Sequence, residues 1–298
     1  MGQPRRIAQQ AGRHALVDDI PFQMPVQGIK SSTILAAFPC DPVKARVLLQ
    51  GDEIHPFVLW NKALLLVTVV DYRHTNIGKY IEFSIALACT HGTRPAPRLL
   101  PALLRGLYGT GQWVYDLPVS TEISVKGGKG IWGMPKHQCN LNYIETQRMV
   151  SSQYDLDGQL GVYFEVARPR STWLPVSTSA VNYCAFRGLL MKSTIYFSGK
   201  AGFSLFRKGA ARLIIGDAPR VQVLKTIGLE PDPIATLYLP EVTGVLDDHF
   251  ESWFLTYDQP PATPPEGLES VVGLGEGQEW LPPPSAPVPG RVREDVPA

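Results

Sequence analysis

The sequence predicts a single, mainly antiparallel β domain with a few helices. Runs rich in β-branched and aromatic residues follow one another, Gly, Asn and Pro separate them, and an Asp-Gly pair stands between two alternating segments. A chain of 298 residues, 44% hydrophobic and 18% charged, is long enough to bury a large core. We therefore expect a β meander and not an alternation of strands with helices.

The first half of the chain is predicted to contain one short helix, four strands and the start of a hairpin. Asp41 as N-cap and Pro42 at the first helical position predict a helix in DPVKARVLL, 41–49. Asp157-Gly158 is a strong local signal for a hairpin turn. Composition predicts strands in ALLLVTVVDYRH (63–74), YIEFSIALACTH (80–91), GQWVYDLPVS (111–120) and TEISV (121–125).

The second half is predicted to contain another hairpin, another helix and a tail. In KSTIYFSGKAGFSLF, Gly199 and Gly202 predict a turn between two strands. In APRVQVLKTIGL, 218–229, apolar residues at a spacing of three and a final Gly228 predict a short helix. From Gln259 onward the chain is rich in proline and poor in apolar periodicity, so we expect an extended or disordered tail.

Charge and hydropathy narrow the classes of partner. The net charge is +1 and no basic run is longer than the Arg5-Arg6 pair, which gives neither a nucleic-acid footprint nor a polybasic membrane anchor. The apolar run at 63–70 is too short to span a bilayer, and the N-terminus lacks the pattern of a secretory signal. We therefore expect a cytoplasmic protein with a small-molecule partner. The four cysteines are widely spaced and are interpreted as buried thiols.

The stretch GGKGIWGMPKHQC, 127–139, contains two patterns that bind cofactors in other proteins. Its Gly-x-Gly-x-x-Gly matches the dinucleotide fingerprint, but Pro135 and the strand-like NLNYIE stand where that fingerprint needs a helix. His137 and Cys139 are two apart and would share one face of a strand, yet no second close pair of ligand types exists. We therefore predict neither a cofactor nor a metal.

Lys136 is the strongest candidate for chemistry in this stretch. A lysine amine becomes a nucleophile only when it is neutral, and burial among apolar residues lowers the pKa of a lysine toward the physiological range. Ile131, Trp132 and Met134 would build such a dry wall, and Gly133 leaves room for a ligand. A buried lysine of this kind attacks ketones to form a Schiff base. The alternative is an ordinary solvated surface charge.

Two motifs in order resemble the acetoacetate decarboxylase family. GGKGIWGMPKHQ resembles the signature around the reactive lysine of that family, in which Gly-Arg-Glu and an aromatic residue precede Pro-Lys-Lys. Upstream, the Gly78 to Glu82 segment is similar to the Gly-x-Tyr-x-Glu of the family. DDHFESWFLTYD looks like its closing strand. The second lysine of the signature is His137 here, and the residue after Lys129 is glycine in place of glutamate.

The resemblance implies a cone-like antiparallel β-barrel that encloses an apolar cavity, usually in a large homo-oligomer. It implies an N-terminal arm at 1–24, the barrel domain at 25–257 and a proline-rich tail at 258–298. It implies two catalytic residues, Lys136 as the imine-forming nucleophile and Glu82 as the group that positions the substrate or handles a proton. The substrate-binding residues that it suggests are Lys30, Lys129, Trp132, Met134 and Tyr80.

Several of these residues keep a second interpretation. Trp132 and Met134 line the cavity or belong to the barrel core, and Glu82 either works in catalysis or only neutralises a buried lysine. Lys30, at the position of an arginine in the family, either attracts a substrate carboxylate or is a surface lysine.

The implied function is decarboxylation of a β-keto acid through a Schiff base at Lys136. One alternative keeps the imine and changes the reaction to aldol chemistry or dehydration of a 2-oxo acid. That alternative needs an extra cation for the substrate carboxylate, for which Lys129 and Lys30 are the candidates. A further alternative is a barrel that binds a lipid-like or polyketide-like ligand without turning it over.

Overall fold

A computed structural model of the protein describes residues 4–247 and 251–259. The strands are β1 (Arg13–Val17), β2 (Ile20–Met24), β3 (Gln27–Cys40), β4 (Ile54–Pro56), β5 (Ala63–Thr75), β6 (Tyr80–His91), β7 (Gly111–Val119), β8 (Lys136–Gln138), β9 (Asn140–Leu141), β10 (Ile144–Glu145), β11 (Met149–Leu156), β12 (Gln159–Ala167), β13 (Leu174–Phe186), β14 (Leu189–Leu205), β15 (Ala211–Ile215), β16 (Ala235–Leu246) and β17 (Glu251–Phe254). The helices are α1 (Arg5–Gln9), α2 (Pro42–Ala45), α3 (Leu100–Leu103) and α4 (Glu122–Trp132), with 3₁₀ turns at Arg46–Leu48 and Pro219–Lys225.

Seven strands close into a barrel. The hydrogen-bonded order is β6, β5, β3, β16, β14, β13 and β7, and β7 pairs back onto β6. All of these pairs are antiparallel except β13 with β7. A short strand, β8, extends the sheet beside β7 in parallel. The expected antiparallel barrel is therefore confirmed.

A second sheet covers one outer face of the barrel. It runs in the order β10, β11, β12 and β15, with β9 paired to β11. Its Phe164 meets Phe38 and Phe83 of the barrel edge to face, at centroid distances of 6.3 Å. Barrel strands beneath this sheet are buried on both faces, which explains the nearly continuous apolar run in β5: Val67 and Val69 face the outer core, whereas Thr68 and Val70 face the barrel interior.

Most predicted elements are present. The predicted strands at 63–74, 80–91 and 111–120 correspond to β5, β6 and β7. Asp41 caps α2 by accepting hydrogen bonds from the backbone N–H groups of Val43 and Lys44. Asp157 and Gly158 join β11 to β12 with φ values of 51° and 76°, the conformation of a tight hairpin turn. The predicted helix at 218–229 is a 3₁₀ turn at Pro219–Lys225.

Two predictions are wrong. TEISV does not form a strand, because it opens helix α4, whose last turns contain the glycines of GGKGIWG. Gly199 and Gly202 do not make a hairpin turn either. They lie inside the single long strand β14, where the register against β16 shifts between them, so these glycines mark a bulge.

The N-terminal arm packs against helix α4. The arm at 1–24 contains α1 and the β1–β2 hairpin, which packs on α4 through Phe22 against Gly127 and Val17 against Gly130. The predicted tail at 258–298 lies outside the described residues apart from 258 and 259. Cys40, Cys89 and Cys184 are buried free thiols, and Cys139 is a half-buried one. In residues 4–247 and 251–259, no helix is long and apolar enough to cross a membrane.

The turn glycine gives a direct stability test. Gly158→Ala places a side chain at a φ of 76° with open space around it, so the cost comes from the backbone alone and is about 1 kcal/mol. Gly106→Ala is the matched control, because it too has open space but no left-handed φ. Urea denaturation should show a lower midpoint for the first variant only; equal midpoints would contradict the turn assignment.

Candidate active site

The interior of the barrel is a largely apolar cavity of about 190 Å³. Side chains from all seven barrel strands line it, together with α4 and β8. Two charged residues reach it within the described part of the chain, Lys136 and Glu82. Burying two charges in an apolar cavity costs free energy unless the charges contact each other. Charged residues in such a cavity therefore mark a candidate functional site.

Lys136 and Glu82 form an ion pair inside this cavity. The amine Nζ of Lys136 lies 2.7 Å from Oε2 of Glu82 and donates to Oγ of Ser124 at 3.0 Å. The two charged side chains are 8% and 17% exposed. Strand pairing brings them together, because Glu82 on β6 is level with Val119 on β7, and Lys136 on β8 is level with Leu117 on the same strand.

Helix α4 makes room for the lysine. A Cβ atom at Gly128 would lie 2.4 Å from Cδ of Lys136, so the lysine stem crosses the helix where no side chain stands. The helix ends at Gly133 with a φ of 66°, and the chain then turns so that Pro135 leads directly into β8. Gly128 therefore serves the approach of the lysine to the helix, whereas Gly127 and Gly130 serve the approach of the arm.

Tyr72 and Tyr80 lie beside the ion pair. Their rings stack at a centroid distance of 4.5 Å, and the amine of Lys136 lies 5.4 Å from the centroid of the Tyr80 ring. Burial, followed by the negative charge of Glu82, raises the pKa of both phenols well above its usual value. The phenols therefore stay neutral and can donate protons to hydrogen bonds in the site.

His137 points to the opposite side of β8. Its Nε2 lies 2.9 Å from Oδ1 of Asp116, a carboxylate that is fully buried and is also bonded by Arg220 and by the hydroxyl of Tyr154. Burial acts to raise the pKa of Asp116, but the hydrogen bond from His137 and the charge of Arg220 outweigh it, so this pKa lies below its usual value. The cluster anchors β8 from behind while Lys136 faces the cavity.

The structure brings together five of the seven residues that the sequence singles out. The cavity is lined by Tyr80, Glu82, Trp132, Met134 and Lys136. The indole N–H of Trp132 donates to the backbone oxygen of Asp247 at 2.8 Å, which fixes this side chain. The two remaining lysines do not join them. Lys30 is half exposed and lies 3.8 Å from Glu241 at the surface, and Lys129 is on α4 outside the lining.

Sequence reasoning missed Tyr72 and Ser124. Ser124 lies in the segment interpreted as a strand, although Thr121 before an acidic Glu122 is a typical helix start and Gly133 a typical helix end. Tyr72 gives no local signal, because its contact with Tyr80 depends on the pairing of β5 with β6.

Comparisons with known proteins agree with this architecture. The model of the family described as acetoacetate decarboxylase (ADC) matches residues 8–176. No curated protein matches the chain. Similar solved structures include the enduracididine biosynthesis enzyme MppR complexed with the condensation product of pyruvate and imidazole 4-carboxaldehyde, with a TM-score of 0.54 and 13% identity over 78% of this chain and 90% of that one.

Two further structures are similar. Acetoacetate decarboxylase from Legionella pneumophila has a TM-score of 0.53 and 10% identity over 77% of this chain and 87% of that one. An acetoacetate decarboxylase-like enzyme from Sphingomonas wittichii RW1 has a TM-score of 0.51 and 14% identity over 83% of this chain and 100% of that one. At these identities the likeness establishes the fold.

The contact between helix α4 and Lys136 can be tested by adding a single Cβ atom at Gly128. Gly128→Ala should displace the stem of Lys136 and slow the reaction with a ketone that the sequence predicts for this lysine. The rate of borohydride trapping should fall by at least about tenfold, since small misplacements of a reacting group cost about that much or more. Gly130→Ala is the control, because its Cβ would meet Val17 of the arm and not the lysine. Equal trapping rates in the two variants would show that the space at Gly128 does not matter.

The cluster behind β8 predicts a dependence of stability on pH. Because the pKa of Asp116 is depressed in the folded state, its stabilisation is present above the ordinary aspartate pKa and is lost as the pH falls through the folded value. Asp116→Asn should lower the free energy of unfolding by about 3 kcal/mol at pH 7, with a smaller difference below about pH 4. Asp217→Asn, in an exposed pair with Lys225, is the control and should change it by less than about 1 kcal/mol. A difference that stays constant down to pH 2 in denaturation curves would refute the linkage.

Proposed function

The chain belongs to the acetoacetate decarboxylase family, and from that premise we propose that it is a Schiff-base-forming carboxy-lyase that acts on a β-keto acid. Lys136 is the nucleophile and Glu82 its proton-handling partner. The observation that supports this proposal is the 2.7 Å pair of Lys136 Nζ and Glu82 Oε2 inside an apolar cavity. An amine and a carboxylate in contact, shielded from bulk water, are the two groups that imine chemistry needs.

The reaction begins with proton transfer from the lysine amine. Glu82 accepts this proton, and the free electron pair of Nζ attacks the ketone carbon of the substrate. The carbinolamine then loses water and becomes a protonated imine, with Glu82 and the neutral phenol of Tyr72 as the nearby proton donors and acceptors.

The iminium then acts as an electron sink. The bond between the α-carbon and the carboxylate breaks, CO₂ leaves, and its bonding electrons move into the imine to give a neutral enamine. Protonation of the α-carbon restores the iminium, and hydrolysis releases a ketone and regenerates Lys136. The sum is one β-keto acid anion and one proton converted to one ketone and one CO₂.

The charges of the cavity favour decarboxylation over aldol chemistry or dehydration of a 2-oxo acid. A 2-oxo acid keeps its carboxylate throughout such a reaction and requires a second cation, and the two lysines that were candidates for that role, Lys30 and Lys129, lie outside the cavity. Among the lining residues that the structure describes, Lys136 carries the one positive charge. A carboxylate that leaves as CO₂ gains from an apolar site, since its charge disperses in the transition state.

The alternative reaction keeps one observation in its favour. A fold relative, MppR, is complexed with a condensation product of pyruvate, which is a 2-oxo acid. A barrel that binds a ligand without turnover is the remaining alternative, and the same experiment separates all three. A homo-oligomeric assembly, a cytoplasmic location and the absence of a cofactor, a metal or a nucleic-acid partner stay predictions.

The nucleophile is tested by borohydride trapping with a panel of β-keto acids and ketones, followed by peptide mapping. With wild-type protein, borohydride should reduce the imine and leave the substrate attached covalently to Lys136. Without borohydride, wild-type protein should release CO₂. Lys136→Ala should do neither, and Lys136→Arg should fail equally, because a guanidinium stays protonated and cannot attack a carbonyl. Trapping without CO₂ release would support the 2-oxo acid reaction, and an absence of any adduct would leave the binding barrel.

The carboxylate is tested by Glu82→Gln. The amide keeps the shape of the side chain but loses the proton-handling group, so turnover should fall by about 10²–10⁴-fold while some imine remains trappable. Glu241→Gln removes a carboxylate that pairs with Lys30 at the surface and should leave turnover unchanged. If Glu82→Gln retained full turnover, Glu82 would be only a structural counterion.

A further inference from the structure

The cavity extends well beyond the ion pair. The lining continues along β7 from Leu117, which is level with Lys136, to Gln112. Five residues of extended strand cover about 16 Å. A buried water needs about 10–15 Å³ of space, so a cavity of about 190 Å³ holds on the order of a dozen heavy atoms. A ligand as small as acetoacetate would occupy about half of it or less.

The wall between the two ends is mostly apolar. Leu35, Val114, Leu237 and Phe197 belong to this lining, and beyond the ion pair no charged group of the described chain reaches it. Charged substituents on the distal part of a substrate would lose their hydration without compensation. The middle section therefore fits an uncharged carbon chain.

The far end of the cavity carries an uncharged polar pair. Nε2 of Gln112 donates to Oδ1 of Asn182 at 2.6 Å, and both side chains belong to the lining. Within the described part of the chain, the amide nitrogen of Asn182 and the amide oxygen of Gln112 make no further hydrogen bond. Ser193, which is 6% exposed and directly opposite Asn182 on β14, adds a hydroxyl to the same place. One donor and one acceptor thus face the end of an apolar channel.

We propose that the substrate is a β-keto acid with a long, uncharged carbon chain that ends in a neutral hydrogen-bonding group, and that Gln112 and Asn182 form the subsite for that group. This inference rests on the proposed imine chemistry for the position of the ketone, but the subsite itself needs no catalysis. These half-buried amides disfavour a chain end that covers them without pairing, because they would lose hydration without replacement. A hydroxyl at the chain end pairs with both, since it accepts from the amide nitrogen of Asn182 and donates to the amide oxygen of Gln112, whereas a carbonyl pairs with the nitrogen alone.

The subsite is tested with three β-keto acids: acetoacetate, 3-oxodecanoate and 9-hydroxy-3-oxononanoate. The last two have the same length and differ only in a terminal methyl against a terminal hydroxyl. Each buried methylene is worth about 0.8 kcal/mol, or about fourfold, so kcat/KM should rise at least about tenfold from acetoacetate to 3-oxodecanoate. It should rise again for the hydroxyl compound. A wild-type enzyme that prefers acetoacetate, or that treats methyl and hydroxyl ends alike, would overturn the proposal.

Two variants locate the preference. The double variant Gln112→Leu with Asn182→Leu should reverse the order of the methyl and hydroxyl substrates, whereas Gln159→Leu, on the exposed hairpin, should keep it. Ala180→Phe fills the lining near Ile195 and should lower the ratio of kcat/KM for 3-oxodecanoate over acetoacetate at least about tenfold. Unchanged ratios in both variants would place the preference elsewhere and refute the subsite.

Binding to an inactive enzyme separates this inference from the proposed reaction. Calorimetry on Lys136→Ala, which forms no imine, should show that 8-hydroxy-2-octanone binds more tightly than 2-nonanone, and 2-nonanone more tightly than acetone. This order, seen without any CO₂ release from wild type, would support the subsite and reject the decarboxylase. CO₂ release with no such order would reject the subsite and keep the decarboxylase.

Discussion

The burial of one ion pair inside a closed barrel is the constraint on which the rest of the structure depends. Removing either charge from water is costly, and the cost is offset only where the partner lies at contact distance with further hydrogen bonds around it. Lys136 and Glu82 meet this condition at 2.7 Å, with Ser124 as a further hydrogen-bond partner and the Tyr80 ring 5.4 Å from the amine. The contact exists because β7 pairs with β6 on one side and with β8 on the other, so a single strand sets the height of both charged side chains.

Successive side chains of β8 point to opposite faces of the strand and have different contacts. Lys136 points inward, and the next residue, His137, points outward to Asp116, which Arg220 and Tyr154 also hold. A cation in place of His137 would face the same carboxylate and would stand on the side of the strand away from the lysine amine. The environment of that amine is therefore built by the cavity wall and by Glu82, not by its neighbour in the sequence.

Elements that depend on local residue patterns can be predicted from the sequence, whereas contacts that depend on the pairing of distant strands cannot. The strand at 63–74 is predictable because burial on both faces demands an apolar, β-branched run, and the turn at Asp157 is predictable because few residue pairs tolerate its backbone. Helix α4 is hidden because Gly127, Gly128 and Gly130 lower its helix propensity, although close approach requires them. The motifs around Lys136 and Glu82 point to a paired site, whereas Tyr72 and Gln112 enter it only through the registers of β5 and β7.

The charge balance of the cavity limits what it can do to a substrate. Lys136 and Glu82 neutralise each other before a ligand arrives, so the carboxylate of a β-keto acid brings a negative charge that no further cation of the described lining meets. Formation of the iminium keeps one positive charge at the nitrogen, shared between two carboxylates. Loss of CO₂ removes one of the negative charges and, through the enamine, the positive one as well. An apolar barrel favours the step that reduces the number of charges within it, and an uncharged chain end held by amides at the far end adds no charge that would oppose that step.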